Sequence, residues 1–188
     1  MRWGLMPPWL TEPPGRPLVN ARIETVADRP AFRAAFRHRR CLVPADGWYE
    51  WQPQPHGPKQ PFVFLARAAD SPFALAALYE EAHTARWGET VPETVTLLTM
   101  PARPAFAAIH DRMPVPLAPK SFAAWLDPQH PPCPDDLAVL PEDAFATRPV
   151  SRLVNRVSID GPVLLEPDHM RPAHRPSSSH DDQGDLFA

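Results

Sequence analysis

Twenty-eight prolines against seven glycines in 188 residues set the first limit on this chain. Proline fixes φ and removes a backbone donor, so long helices and proline-bearing central strands are disfavoured. What remains is a fold of short strands and short helices joined by stiffened loops. Hydrophobic residues make up 44% and charged residues 22%, close to globular usage, so most of the chain has the material for a core. The length suits one domain with a tail and leaves little room for a second domain. No apolar run reaches the roughly 18 residues of a membrane span. Nor does an apolar signal core follow Met1-Arg2-Trp3-Gly4.

Short apolar runs bounded by Gly, Pro and Asp at 41–45, 62–66, 73–78 and 94–99 read as strands of an antiparallel or mixed sheet. Phe32 and Phe36 share one face and Arg33 and Arg37 another at i, i+4 spacing, which predicts a short amphipathic helix begun near Asp28. Segments 101–109 and 119–126 read as further short helices, each with Pro near its start. Trp3 to Leu18 reads as an irregular loop that buries or presents its tryptophans. After about Pro167 the chain is polar and aperiodic, the pattern of a disordered tail.

The charge is unevenly placed. Residues 1–122 carry 14 Lys and Arg against 11 Asp and Glu, and the remainder 5 against 11, so an anion is expected on the front half. Arg outnumbers Lys 17 to 2, which suits planar contact with phosphate and bases, although a GC-rich genome writes the same bias. Cys41 and Cys133 lack a CxxC partner and read as reduced, partly buried thiols. The scattered histidines form no zinc-ligand ladder, so neither metal nor cofactor is expected.

The stretch Ala45-Asp46-Gly47-Trp48-Tyr49-Glu50-Trp51 sets a carboxylate among aromatics. Period two puts Trp48 and Glu50 on one face, and a carboxylate held against indole is desolvated toward general acid or base work. Taken alone, the pattern reads first as an exposed strand-end Glu and only second as a catalytic carboxylate. Ile109-His110-Asp111-Arg112-Met113-Pro114 gathers a His, a carboxylate and an Arg, either a catalytic group or a capping cluster. Asn20-Ala21-Arg22-Ile23-Glu24-Thr25 is either a turn or a site.

Together, and with Arg2-Trp3-Gly4-Leu5-Met6-Pro7-Pro8-Trp9 and Pro149-Val150-Ser151-Arg152, these motifs in this order resemble the SOS response-associated peptidase (SRAP) family of abasic-site processing proteins. The resemblance runs from the first residue to about Pro167 and places an SRAP domain at 1–167. It implies an α+β, β-rich fold with a β-barrel-like core, short peripheral helices and a groove for single-stranded DNA. It further implies an autoproteolytic peptidase that removes its initiator Met, then crosslinks to an abasic site through an N-terminal Cys. The α-amine, with a pKa of about 7.7–8.0, condenses with the sugar aldehyde and the thiol closes a thiazolidine.

Carried over residue by residue, the resemblance makes Asn20 the group that hydrogen-bonds the reacting terminus, Glu50 the acid/base carboxylate and His110 the promoter of imine formation and sugar-ring chemistry. Arg22 and Arg112 match positions that hold DNA phosphates, Trp9 lies in a base-supporting loop, Trp3 is either a DNA contact or core, and Thr99 helps line the groove. Base stacking on an aromatic is worth about 1–3 kcal/mol and is indifferent to sequence, as a lesion reader requires.

One departure stands out: the family begins Met-Cys-Gly-Arg and runs several tens of residues before its Trp-Gly motif, whereas here Met1 abuts Arg2-Trp3-Gly4. Met1 is therefore read as an internal methionine of a longer protein, or the chain as a truncated relative. As written it is expected not to form the thiazolidine, since neither Cys41 nor Cys133 adjoins a free α-amine. Gln183-Gly184-Asp185-Leu186-Phe187 resembles the bacterial sliding-clamp-binding motif, with Gln183, Asp185, Leu186 and Phe187 as its contacts in a tail spanning 168–188. The expected protein is a cytoplasmic, nucleoid-associated monomer that binds single-stranded DNA at abasic sites. The alternative is a non-catalytic, clamp-tethered strand binder or an inactive fragment.

Overall fold

The computed structural model describes residues 1–67, 72–130 and 133–167. Its centre is a seven-stranded mixed sheet built on two eight-residue strands, β6 (Phe73–Glu80) and β9 (Thr94–Pro101), which pair antiparallel. On one side β9 takes β1 (Arg2–Trp3) and β2 (Asn20–Arg22) in parallel, and on the other β10 (Arg112–Pro114) antiparallel beyond β6. Strands β3 (Arg40–Ala45) and β11 (Pro116–Leu117) pair antiparallel with β6. A separate antiparallel sheet holds β4 (Gly47–Gln52), β5 (Gln60–Ala66) and β12 (Phe145–Pro149). A small hairpin joins β7 (His83–Thr84) and β8 (Thr90–Val91).

The four apolar runs read from sequence are β3, β5, β6 and β9, each slightly longer than its apolar stretch. The class is α+β and strand-rich, as expected. Among the described residues the ladders do not close, so the barrel-like character lies in one sheet packing over the other.

Alternation along β6 gives the large sheet two apolar faces. Ala76 and Leu78 join Leu98, Leu117, Phe36 and Trp125 beneath helices α1 (Arg33–His38) and α2 (Phe122–Leu126). Phe73 and Leu75 face the other way, against Phe64, Phe145 and Met113 of the second layer. There Trp48 stacks on Phe64 at 4.6 Å and meets Phe145 edge-on at 5.0 Å, geometries that aromatic quadrupoles favour.

The chain passes from one sheet to the other at Asp46-Gly47. A Cβ on Gly47 would penetrate the carbonyl oxygen of Phe64, so only glycine admits this approach. The crossing sets β4, and with it Glu50, against the large sheet.

Two expectations are corrected. Segment 101–109 is not a helix: Pro101 is taken into β9, where it pairs with Arg112, and residues 104–109 form overlapping turns. Cys133 is exposed rather than partly buried, whereas Cys41 in β3 is half-buried. Segment 119–126 is helical, a 3-10 turn running into α2. The expected helix over 30–37 starts later, at Arg33. No helix of the described residues is long and apolar enough to cross a membrane. The proposed clamp contacts Gln183, Asp185, Leu186 and Phe187 lie outside the described residues.

Candidate functional site

Strand β9 is the axis of the site. Its alternate residues Val95, Leu97, Thr99 and Pro101 share one face. Register places Trp3 beside Val95, Asn20 beside Leu97 and Arg22 beside Thr99, so Trp3, Asn20 and Arg22 form a row on that face. Across β9, Pro114 pairs with Thr99 and Arg112 with Pro101. Leu97 packs with Phe64 and Phe73, so this is the face against which the small sheet lies. Asn20 and Arg22 are exposed at its uncovered margin, while the intervening Ala21 is buried beneath.

Glu50 approaches from the facing layer. It shares a face of β4 with Trp48, which stacks into the intersheet cluster, and its side chain is only 18% exposed. Its Oε2 lies 3.7 Å from Nδ1 of His110. Burial pushes the Glu50 carboxyl above the usual range; the nearby His110 opposes this and the Asp111 charge adds to it.

His110 follows the turns of 104–109. Its Nδ1 stands 3.1 Å from the amide nitrogen and 3.0 Å from the carbonyl oxygen of Arg112, and 3.4 Å from Oδ1 of Asp111. In the neutral ring with the proton on Nε2, Nδ1 accepts the Arg112 amide. With a proton on Nδ1, the ring donates to the Arg112 carbonyl and faces Glu50. One ring position thus has a partner for Nδ1 with either tautomer.

Arg112 fastens β10 to β2. Its Nη1 and Nη2 donate to Oε1 and Oε2 of Glu24 at 2.7 and 3.0 Å. Nη2 also reaches the carbonyl and Oγ1 of Thr99, at 2.6 and 3.2 Å. The Arg112 guanidinium holds the Glu24 carboxyl below the ordinary carboxylate range, and the charge of Arg22 adds to the effect. Glu24→Gln is expected to lose about 0.5–1 kcal/mol at pH 7, as a partly exposed pair does. A group whose folded pKa is depressed contributes above its unfolded pKa and loses that contribution as pH falls through the folded value. The difference from wild type should therefore shrink as pH falls below the ordinary carboxylate range in paired urea titrations; a deficit that does not change with pH would refute the ion pair as its cause.

The expected site residues thus fall into place unevenly. Register and contacts bring together Trp3, Asn20, Arg22, Thr99 and Arg112 on one side, and Glu50 and His110 on the other. Trp3 is 58% exposed, with its indole N–H donating to the Val19 carbonyl at 2.7 Å, which decides against core. Trp9 is 45% exposed in its loop. Arg112 is engaged with Glu24 rather than free. Two contributors went unread. Glu24 continues the polar alternation of Asn20 and Arg22, and Gln52 continues that of Glu50. The Gln52 side-chain amide donates to the Ala108 carbonyl at 2.9 Å, tying β4 to the turns that carry His110.

Cys41 does not take part. It lies in β3, and burial pushes its thiol up to about 11, leaving almost no thiolate near neutrality.

Comparison with known proteins bears on the family and the fold. The family model for SOS response associated peptidase (SRAP) matches residues 1–157. Abasic site processing protein YoqW of Bacillus subtilis is 37% identical over 171 residues, covering 88% of this chain and 75% of the relative. YedK of Escherichia coli, of the same description, is 33% identical, covering 88% and 72%. HMCES of Xenopus tropicalis is 32% identical, and there the match spans 56% of the longer protein. A solved structure from Bordetella bronchiseptica superposes with a TM-score of 0.67 at 29% identity, covering 80% of this chain and 75% of the other. A second, from Bacteroides thetaiotaomicron, gives 0.74 at 23% identity over 88% and 74%, a likeness of fold. With five ordered motifs, the paired sheets and relatives named for abasic site processing all in accord, the chain belongs to the SRAP family.

Proposed function

We propose that this protein binds single-stranded DNA at abasic sites and processes the exposed sugar between its two sheets. The observation that carries this reading is the largely buried Glu50 carboxyl 3.7 Å from His110, in a fold that also presents an exposed row of indole, amide and guanidinium on β1 and β2. An abasic site offers no base to read. A pocket for it needs phosphate contacts, aromatic surface for the neighbouring bases and an acid/base pair for the aldehyde.

In this reading Arg22 supplies an exposed guanidinium to a phosphate, and Arg112 a second that it shares with Glu24. Trp3 and Trp9 stack the flanking bases. Asn20 orients an attacking amine at the margin of the row. An amine adds to C1′ of the ring-opened sugar to give a carbinolamine, and Glu50, whose acid form burial favours, donates to the departing hydroxyl so that water leaves and the imine forms. His110 relays protons at the sugar. Where an N-terminal Cys supplies the amine, its thiol adds to the imine carbon, the nitrogen takes the proton, and the thiazolidine closes. By the same resemblance the acid/base pair assists self-removal of the initiator Met, and the tail at 183–187 docks to the sliding clamp.

The test takes the protein expressed from its own gene, with its N-terminus fixed by intact mass, and a single-stranded oligonucleotide bearing one abasic site. A DNA adduct that survives denaturation is expected, with none on the same oligonucleotide lacking the lesion. Equal retention of both oligonucleotides, with no adduct, would overturn the lesion-processing reading and leave a strand binder.

A further inference from the structure

Helix α1 is built against its own electrostatics. Its six residues begin at Arg33, its first turn holds no acidic residue, and Phe32 provides no side-chain cap. A cation at the positive end of the helix dipole is unfavourable, and Arg33 and Arg37 repel at i, i+4 spacing. The dipole accounts for Arg37 and His38 in the last turn but not for Arg33. Nor do local partners: among the described residues Arg39 pairs with Glu80 and Arg112 with Glu24, whereas Arg33 and Arg37 form no ion pair. Departures from local consistency of this kind mark functional surfaces.

The surroundings give the two arginines a direction. Both line a cleft of about 550 Å³ together with Phe36 and His38. Ala27 also lines this cleft and is shared with a second of about 730 Å³, whose wall carries Glu24, Pro101, Arg103 and Asp135. The Nε–H of Arg103 is buried there without a partner. Glu24 and Pro101 belong to the margin beside Arg112, so the two clefts lead from the lesion face to α1.

We propose that Arg33 and Arg37 hold the phosphate backbone of the DNA strand after it leaves the lesion site, along a track through the two clefts. This rests on the DNA-binding reading above. A guanidinium fork matches phosphate oxygens, and the contact fixes the path of the strand without reading its bases. Asp135 and Glu24 flank the entry, so the track turns attractive only toward α1.

The test measures binding of the 188-residue chain to labelled oligonucleotides of 5 and 21 nucleotides with a central abasic site, across a salt series. Each phosphate neutralised on a single strand contributes about 0.7 to the slope of log K against log salt. Arg33→Gln/Arg37→Gln should flatten the 21-mer slope by about 1.4, a loss of about 25-fold near 0.1 M salt, and leave the 5-mer within about twofold. Arg67→Gln/Arg86→Gln, an equal charge change elsewhere, should leave both slopes alone. Single Arg33→Glu should weaken 21-mer binding while raising the melting temperature, a pairing of signs that misfolding cannot produce. An unchanged 21-mer slope in the double variant overturns the track. Equal losses on both lengths overturn it too, by placing the arginines in the lesion site. A wild-type chain that binds neither oligonucleotide overturns the DNA reading together with the track.

Discussion

Arg40→Met should cost about 3–5 kcal/mol, the largest loss expected of any single substitution here. Arg40 is only 6% exposed at the start of β3. Its Nη1 donates to the carbonyls of Phe36 and Arg37 at 2.5 and 2.7 Å, its Nε to that of Trp125 at 2.6 Å, and its Nη2 to that of Asp127. These are carbonyls at the C-terminal ends of α1 and α2, which no intrahelical donor can reach. One guanidinium therefore closes both helices and anchors them to the sheet, with its Cζ 5.8 Å from the Trp125 ring centre. Methionine fills the volume and donates nothing, leaving buried carbonyls unpaired. Domains of this size are stable by about 5–15 kcal/mol, so the variant should unfold at much lower urea or fail to fold. A midpoint within the error of wild type would show that solvent replaces the guanidinium.

Arg40 also shows where sequence reading stopped. Phe36 and Trp125 were visible as apolar residues on short helices, but nothing in the string Arg39-Arg40-Cys41 says that its second arginine turns inward. Two of its four partners, the carbonyls of Trp125 and Asp127, lie 85 and 87 residues away, and burial of a charge is decided by what the fold brings to it. The long apolar strands were legible because a run such as Phe73 to Leu78 must be buried wherever it goes. Strands β1 and β2 were not, since two or three residues carry no periodicity and become strands only by pairing with β9. The site followed the same division. Asn20, Glu50 and His110 were named from the family's ordered motifs, while the contact of Glu24 with Arg112 joins residues 88 apart and left only a hint in the polar alternation of β2.

Glu50→Gln carries the second large effect, with opposite signs on rate and stability. Removal of an acid/base group costs about 10²–10⁴ in rate, so adduct formation on abasic DNA by the protein expressed from its own gene should slow at least about 100-fold. Stability should rise. Burial raises the folded pKa of Glu50 above its unfolded value, so the folded state keeps this proton longer. Stability is then full below the unfolded pKa and falls as pH rises through the folded pKa, where a buried carboxylate must ionise. Glutamine never ionises. The variant should match wild type near pH 3 and melt above it near pH 8. Melting curves at the two pH values, with adduct kinetics at the higher one, check both halves. A normal rate would remove Glu50 from the chemistry, and a stability gain that ignores pH would trace it to packing instead of charge.

The row that carries Trp3, Asn20 and Arg22 stands on edge strands of two and three residues. Edge strands this short are held by few backbone hydrogen bonds, and such regions open at a fraction of the free energy needed to unfold the whole domain. Under the proposed function, the half of the site assigned to the DNA backbone should therefore open more readily than β6 and β9 behind it, which amide hydrogen exchange would report. A damaged strand presents no fixed shape, and a compliant rim over a rigid floor can adjust to its sugar and phosphates without disturbing the layer that holds Glu50.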